Sequence, residues 1–427
     1  MGMTATEKIF ARASGLASVK AGETVYPDPE VVIVHDGYVA SSKAQMDERG
    51  IPKLFDADRV VFATDHAVIY TTPQAVARGA AIRKAVAEWG VKNFYDVGQG
   101  GHGHIFPMEM GYVSPGTFAF ANDSHCSNNG AIGAVVARTG TEIVCVLATG
   151  TLWIEVPFSI KVNLTGKLQD GVFGRDFGYR VARNFTNGTF KADWDYRVIE
   201  FGGPALEHLN LAQRVAMCNT LTEIGVANVF FPPSQEIIQW ASERARRPFT
   251  PVYSDPDAHY EAEFTFDLGT LQPQIVLPGA PDQAADIGEA LGRKVDHAYV
   301  GSCGSGMYED LQVTAQALKG KKVASGTRLF IVPGTVASAR RMVAEGLMDI
   351  FQEAGAIILP AGCGPCTKGT GAPLAAGEVS ICTAATNYAG RMGDKAAEIY
   401  LASPATVACS AVEGKITDPR THGVRLN

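Results

Sequence analysis

A chain of 427 residues, 46% of them apolar, can bury a large core, and at about 150 residues per domain its length sets an expectation of about three domains. The formal net charge of -7, with no Lys/Arg run interleaved with aromatics, argues against a nucleic-acid surface. No apolar stretch approaches ~18 residues and the start is polar, so neither a membrane span nor a secretory leader is expected, and the cytoplasm is the default compartment.

In chain order, Thr4 and Glu7 form a Thr-x-x-Glu capping box ahead of a short helix over residues 4–13. The β-branched runs at 31–35 and 59–64 predict buried strands, the second ending in Asp65-His66, and 73–88 carries helical spacing with Pro73 in the first turn. A strand from Asn93 runs into Gly98-Gln-Gly-Gly-His-Gly103, which fits the dinucleotide fingerprint G-x-G-x-x-G. The segment that should open a helix is instead Ile105-Phe-Pro-Met-Glu-Met-Gly111, unsuited to one, and the nucleotide reading is rejected. The glycines instead let the backbone approach a bound group while presenting His102 and His104. A strand at 117–121 delivers Asn122-Asp-Ser-His-Cys126, and 130–138 reads as helical.

Sheet-like alternation at 154–168 and a turn-rich stretch close a first domain, 1–194. A smaller second domain, 195–285, is expected to hold helices at 209–225 and 234–246 and strands at 227–231 and 263–268, with a Pro/Gly/Asp-rich linker at 277–286. The third, 286–427, repeats strand (298–301, 329–333, 356–359) and helix (309–318, 336–353), the pattern of a parallel sheet.

Two glycine-bounded loops carry thiols: Gly301-Ser-Cys303-Gly304 and Gly362-Cys363-Gly-Pro-Cys366, each just past a predicted strand. Three thiolates suit an iron-sulfur cluster with one iron left open. A zinc site or a redox pair are the rival readings of the C-x-x-C, although its loop flanks do not fit the redox pair. Cys126, Cys145, Cys218, Cys382 and Cys409 are expected to fill core positions. His66 beside Asp65, His104 near Glu109, and His125 two residues after Asp123 are candidates for proton transfer, because a carboxylate on one imidazole nitrogen fixes the tautomer of the other.

The stretches Thr64-Asp-His66, Asp123-Ser-His125, Cys218-Asn219 with Glu223-Ile-Gly225, Gly301-Ser-Cys303, Tyr308-Glu-Asp310, Gly362 to Cys366 and Asn387 to Gly393 resemble the aconitase superfamily, in order over nearly the whole chain. The chain's stop soon after Arg420 is similar to the two-chain, isopropylmalate-dehydratase-type branch, in which the swivelling domain is a separate small subunit. The resemblance implies an α/β, three-domain fold with parallel-rich sheets flanked by helices around a central iron-sulfur cleft. It also implies a hydro-lyase with a 4Fe-4S cluster on Cys303, Cys363 and Cys366, acting on a 2-hydroxy di- or tricarboxylate such as isopropylmalate, another alkylmalate, citramalate or maleate. In it His66, held by Asp65, would protonate the departing hydroxyl. Asp123 with His125, and His104 with Glu223, would be supporting pairs, Asn219 would hydrogen-bond the cluster, and Asn387 and Arg391 would meet substrate. The carbon-directed base is expected on the small subunit, in a heterodimer or heterotetramer. A cluster-sensing, RNA-binding regulator on the same fold is the alternative. Gly304-Ser305 stands where the family usually has Thr-Asn, Thr386 where it has Arg, and residues 40–42 lack its usual Thr or Gln.

Overall fold

The β-branched run Val31–His35 forms β1, buried along its whole length, and it sits at the centre of a five-stranded sheet. A computed structural model describes residues 2–425 of the chain. Its contacts separate two compact units, each assembled from alternating stretches: 1–164, 192–207 and 225–265 in the first, and 165–191, 208–224 and 266–427 in the second. This division by contact is coarser than the three successive domains expected from the sequence.

In the first unit β1 is joined by β2 (Val60–Ala63), β3 (Asn93–Tyr95), β4 (Phe118–Ala121) and β5 (Val135–Arg138), in the order β3-β2-β1-β4-β5 and parallel throughout. Strands buried on both faces read as unbroken apolar runs, as Val-Val-Phe-Ala and Phe-Ala-Phe-Ala do here. Phe62, Phe118, Phe120, Ile82 and Trp89 share one core, where truncating a Phe to Ala costs about 3 to 5 kcal/mol. The helices obey local rules. In α1 (Ala5–Ala13) the Thr4/Glu7 capping box is made in both directions. α2 (Asp36–Glu48) follows β1 directly, and α3 (Pro73–Trp89) has its Thr72 cap accepting from Ala75 N and ends on left-handed Gly90. The unit also holds a four-stranded sheet of β6 (Ser159–Thr165), β7 (Val198–Gly202), β8 (Asn228–Phe230) and β9 (Ala262–Asp267), in the order β8-β7-β6-β9.

The second unit is built on a seven-stranded sheet. Its strands are β10 (Gln274–Val276), β11 (Ala284–Asp286), β12 (His297–Gly301), β13 (Arg328–Val332), β14 (Ile357–Ile358), β15 (Val379–Cys382) and β16 (Glu398–Ala402), in the order β11-β10-β16-β15-β12-β13-β14. The last five positions are parallel, while β10 runs antiparallel to both β11 and β16. α4 (Gly174–Thr186) and α5 (Leu211–Thr222) lie side by side, and α6 (Tyr308–Leu318) packs with α7 (Val336–Ala344), α8 (Leu347–Ala354) and α9 (Pro404–Glu413).

Four local expectations are corrected. Residues 130–138 are not a helix: a 3-10 stretch, Ser124–Ile132, leads into β5, because β-branched Val135 and Val136 are buried in the sheet. The stretch 277–286 is a hairpin connection ending in β11 rather than a linker. Residues 336–353 form two helices divided at left-handed Gly346. Phe106–Glu109 makes one helical turn, with Pro107 tolerated near its start. No helix among the described residues is long and apolar enough to cross a membrane.

Candidate active site

Loops leaving the carboxyl ends of neighbouring parallel strands are where open α/β sheets present functional groups, and both units follow that rule. In the first unit β1 ends at His35, β2 runs into Asp65 and His66, β3 into the glycine loop with His102 and His104, and β4 into Asp123 and His125. Two carboxylates organise five imidazoles. The fully buried Asp65 takes His66 Nδ1 on Oδ1 at 2.8 Å. Its Oδ2 takes His35 Nδ1 at 2.7 Å and Gly103 N at 2.8 Å, and lies 3.1 Å from His102 Nδ1. Asp123 Oδ1 lies 3.0 Å from His104 Nε2 and 3.7 Å from His125 Nδ1, and its Oδ2 lies 3.8 Å from His66 Nε2.

Electrostatics pull the two central imidazoles in opposite directions. Burial disfavours a charge on His66, but Asp65 and Asp36 outweigh it and hold its pKa well above the ordinary imidazole value. For His104, burial and the neighbouring His35 win over the bond to Asp123, and its pKa is well below that value. Burial would also raise both carboxyls, yet the imidazoles around Asp65 and the hydrogen bonds from His104 and His125 to Asp123 keep both well below the usual carboxylate range. At neutral pH His66 is therefore a charged acid and His104 a neutral imidazole, the separation of pKa values that marks distinct roles within one cluster.

In the second unit Cys303 follows β12, Cys363 and Cys366 follow β14, and Asn387 and Arg391 follow β15. Gly301, at φ +137°, lies so close to the Val332 carbonyl that a side chain would clash, and Ser302 takes a left-handed φ of +66°. That sparsely populated conformation in a non-glycine residue is a local strain that aims Cys303 inward. All three thiols are buried. A hydrogen bond with Cys366, burial and the charge of Cys303 together raise the Cys363 thiol well above its usual value. Burial and the same three sulfurs raise the Tyr299 hydroxyl, which donates to the Cys363 carbonyl at 3.2 Å. Asn219 Nδ2 points at Cys303 Sγ from 3.3 Å. Three buried thiols, the Cys363 thiol raised by the other two and an amide N–H directed at Cys303, have the donor chemistry of an iron-sulfur ligand set.

Arg391 is partly buried. Burial opposes its charge, but the sulfurs of Cys366 and Cys363 more than compensate, and its Nε is buried without a hydrogen-bond partner. Glu223 caps α5 and its charge reaches Tyr388 and Arg391. Asn387, expected at substrate, donates its amide to the carbonyls of Leu277 and Ile399 at 2.7 and 3.1 Å, which makes it a brace for the loop. Within its own unit His104 pairs with Asp123, the carboxylate that the sequence reading gave to His125. Cys145 is exposed rather than a core thiol, whereas Cys126, Cys218, Cys382 and Cys409 are buried. His35, Asp36 and Arg175 are the residues that sequence reasoning missed. A signal existed for the first two, since they stand at the end of the buried strand predicted at 31–35, as Asp65-His66 stand at the end of the next.

Residues 40–293 and 289–414 match the Aconitase family (aconitate hydratase), and the chain belongs to that family. It is 38% identical over 424 residues to the 3-isopropylmalate dehydratase large subunit 1 of Methanopyrus kandleri, covering 99% of this chain and 100% of that protein. It is 36% identical over 395 residues to a probable methanogen homoaconitase large subunit of Methanosarcina mazei, covering 92% of this chain and 99% of the relative. The crystal structure of holo-form aconitase X from Thermococcus kodakaraensis shares the fold at a TM-score of 0.50 and 13% identity, over 89% of each chain.

Proposed function

We propose that this chain is the large subunit of an iron-sulfur hydro-lyase that dehydrates, hydrates or isomerises a 2-hydroxy di- or tricarboxylic acid, with isopropylmalate and related malate derivatives as the substrate class. The observation that carries the reading is the trio of buried thiols, Cys303, Cys363 and Cys366, on loops that follow strands of the second unit's sheet, with the Asn219 amide directed at one of them. These residues would hold a 4Fe-4S cluster, with Asn219 directed at the Cys303 sulfur. When bound, such a cluster supplies a Lewis-acidic iron with an open coordination position.

The chain's own residues supply the rest. His66, kept protonated by Asp65 and Asp36, donates its proton to the departing hydroxyl, since hydroxide is a poor leaving group until an acid neutralises it. Asp65 also anchors His35 and His102, which fixes the geometry of the acid. His104, kept neutral, and His125, both held by Asp123, hydrogen-bond substrate. Arg391 presents an unpartnered Nε to a carboxylate, the anion a guanidinium fork suits. Glu223 lies within electrostatic reach of Arg391 and orients it. With Thr386 in the place of a family arginine, one charge-assisted contact of about 1.5 to 3 kcal/mol is missing, enough to shift preference among malate derivatives by one or two orders of magnitude. The group that removes the carbon-bound proton is assigned to a separate swivelling subunit of about one domain, and the complex works in the cytoplasm.

Anaerobic reconstitution tests the cluster: a brown protein with about four irons per chain is expected, and a colourless one holding a single zinc overturns the reading. Assay of the chain with and without its small subunit against a panel of hydroxy acids tests the rest. Loss of a positioned base costs about 10² to 10⁴ in rate, so full activity of the isolated chain refutes the two-subunit division.

A further inference from the structure

Arg175 is a large, fully buried cation on α4, in the same unit as the three thiols. Its Nε donates to the Tyr179 hydroxyl at 2.6 Å, Nη2 to the Ala384 carbonyl at 2.6 Å, and Nη1 to Asn219 Oδ1 at 3.3 Å. The last bond decides which way the Asn219 amide faces. With Oδ1 accepting from the guanidinium, Nδ2 is left toward Cys303, where it sits 3.3 Å from the sulfur. A buried guanidinium is costly unless its N–H groups are satisfied, and here they go to a phenol oxygen, a carbonyl and an amide oxygen. The charges that favour its protonated form come from Tyr179, Cys303 and Cys382.

Gly304 supplies an independent observation. A Cβ at this position would sit under 3.0 Å from both Arg175 Nη1 and Asn219 Oδ1, so only glycine leaves room for the pair beside Cys303.

We infer that Arg175 is a positioning residue for the metal centre: it turns the Asn219 N–H onto the Cys303 sulfur and places a positive charge beside that ligand, thereby raising the reduction potential of the bound cluster. The inference rests on the cluster reading above. Hydrogen bonds to ligand sulfurs and local net charge are the means by which a protein sets such potentials.

The test uses the full-length chain, reconstituted anaerobically, with iron and sulfide contents matched between variants and the cluster titrated with dithionite while its EPR signal is followed. Arg175→Met is expected to shift the midpoint potential to more negative values and to alter the EPR line shape, because both the charge and the amide orientation are lost. Arg175→Lys keeps the charge without the fork and should lie between Met and the native protein. Gly304→Thr, which leaves Arg175 in the sequence but fills its space, is expected to shift the potential in the same direction. Should Arg175→Met fail to fold, the Lys and Thr variants still decide. Native-like potentials and line shapes in variants that bind a full cluster overturn the role of Arg175 and leave the hydro-lyase reading standing. A native chain that reconstitutes without iron overturns both.

Discussion

The imidazole cluster of the first unit and the thiol loops of the second occupy the same kind of place, at the carboxyl ends of parallel strands, yet they are stabilised in opposite ways. In the first, acids and bases complete one another: Asp65 and Asp123 are surrounded by imidazole N–H groups, and both carboxyls titrate well below their usual range. In the second, like meets like. Cys366 and Cys303 raise the Cys363 thiol, while the nearby cations Arg391 and Arg175 carry the compensating charge. A network of paired acids and bases can be rigid before any ligand arrives, whereas crowded thiols come to rest as anions only around a cation.

That contrast can be broken from either side. The largest effect is expected from Cys363→Ser, which should abolish stable cluster binding and reduce turnover by roughly 10³-fold or more, as befits several kcal/mol of metal-derived stabilisation; iron analysis and assay of the complex measure both. His66→Asn should lower kcat by about 10² to 10⁴ with iron content unchanged, so iron loss in this variant would mean that the two regions are not chemically separate.

The pH profile sharpens the comparison. An acid whose pKa is raised stays protonated through neutrality, so turnover should hold at pH 7 and fall only as pH rises through the raised His66 value. Asp65→Asn removes the main stabilising charge and should move that alkaline limb to lower pH. The linked stability has its own sign. The raised His66 contributes stability that is present at low pH and lost as pH rises through its folded value, while the depressed Asp65 contributes stability present above the ordinary carboxyl range and lost as pH falls through its own. Because removing one partner strands buried imidazoles, Asp65→Asn should also destabilise by about 3 to 5 kcal/mol in denaturant titration.

Arg391→Lys retains charge but loses the fork, and a 10- to 100-fold rise in KM with a smaller change in kcat is expected. The smallest effect belongs to Cys145→Ser, an exposed thiol outside both regions, whose stability should stay within about 0.5 kcal/mol of the native protein.

Much of the site could be read from the sequence because its parts sit at punctuation marks: an apolar run, then Asp65-His66, or a glycine pair flanking Cys363. What could not be read was lateral. Nothing in the spacing of Val31–His35 says that this strand lies between β2 and β4, and it is that neighbourhood which carries His35 onto Asp65. Arg175 was invisible for the same reason, since its partners Asn219 and Ala384 are 44 and 209 residues away. The misread stretch 130–138 shows a different limit. Glycine, alanine and valine in alternation suit a buried helix and a buried strand equally, and the neighbouring β4 and β8 decide between them.

The placement of Glu398–Ala402 has a bearing on how the protein is made. This strand, late in the chain, is inserted between Gln274–Val276 and Val379–Cys382, so the hairpin of residues 274–286 has no neighbour in its sheet until some 110 further residues have been synthesised. At a translation speed of about 5 to 20 residues per second, that hairpin waits for several seconds with an unpaired edge. Nascent chains stalled before residue 398 should therefore be cleaved by protease within 274–286, and those stalled well beyond 402 should be protected there.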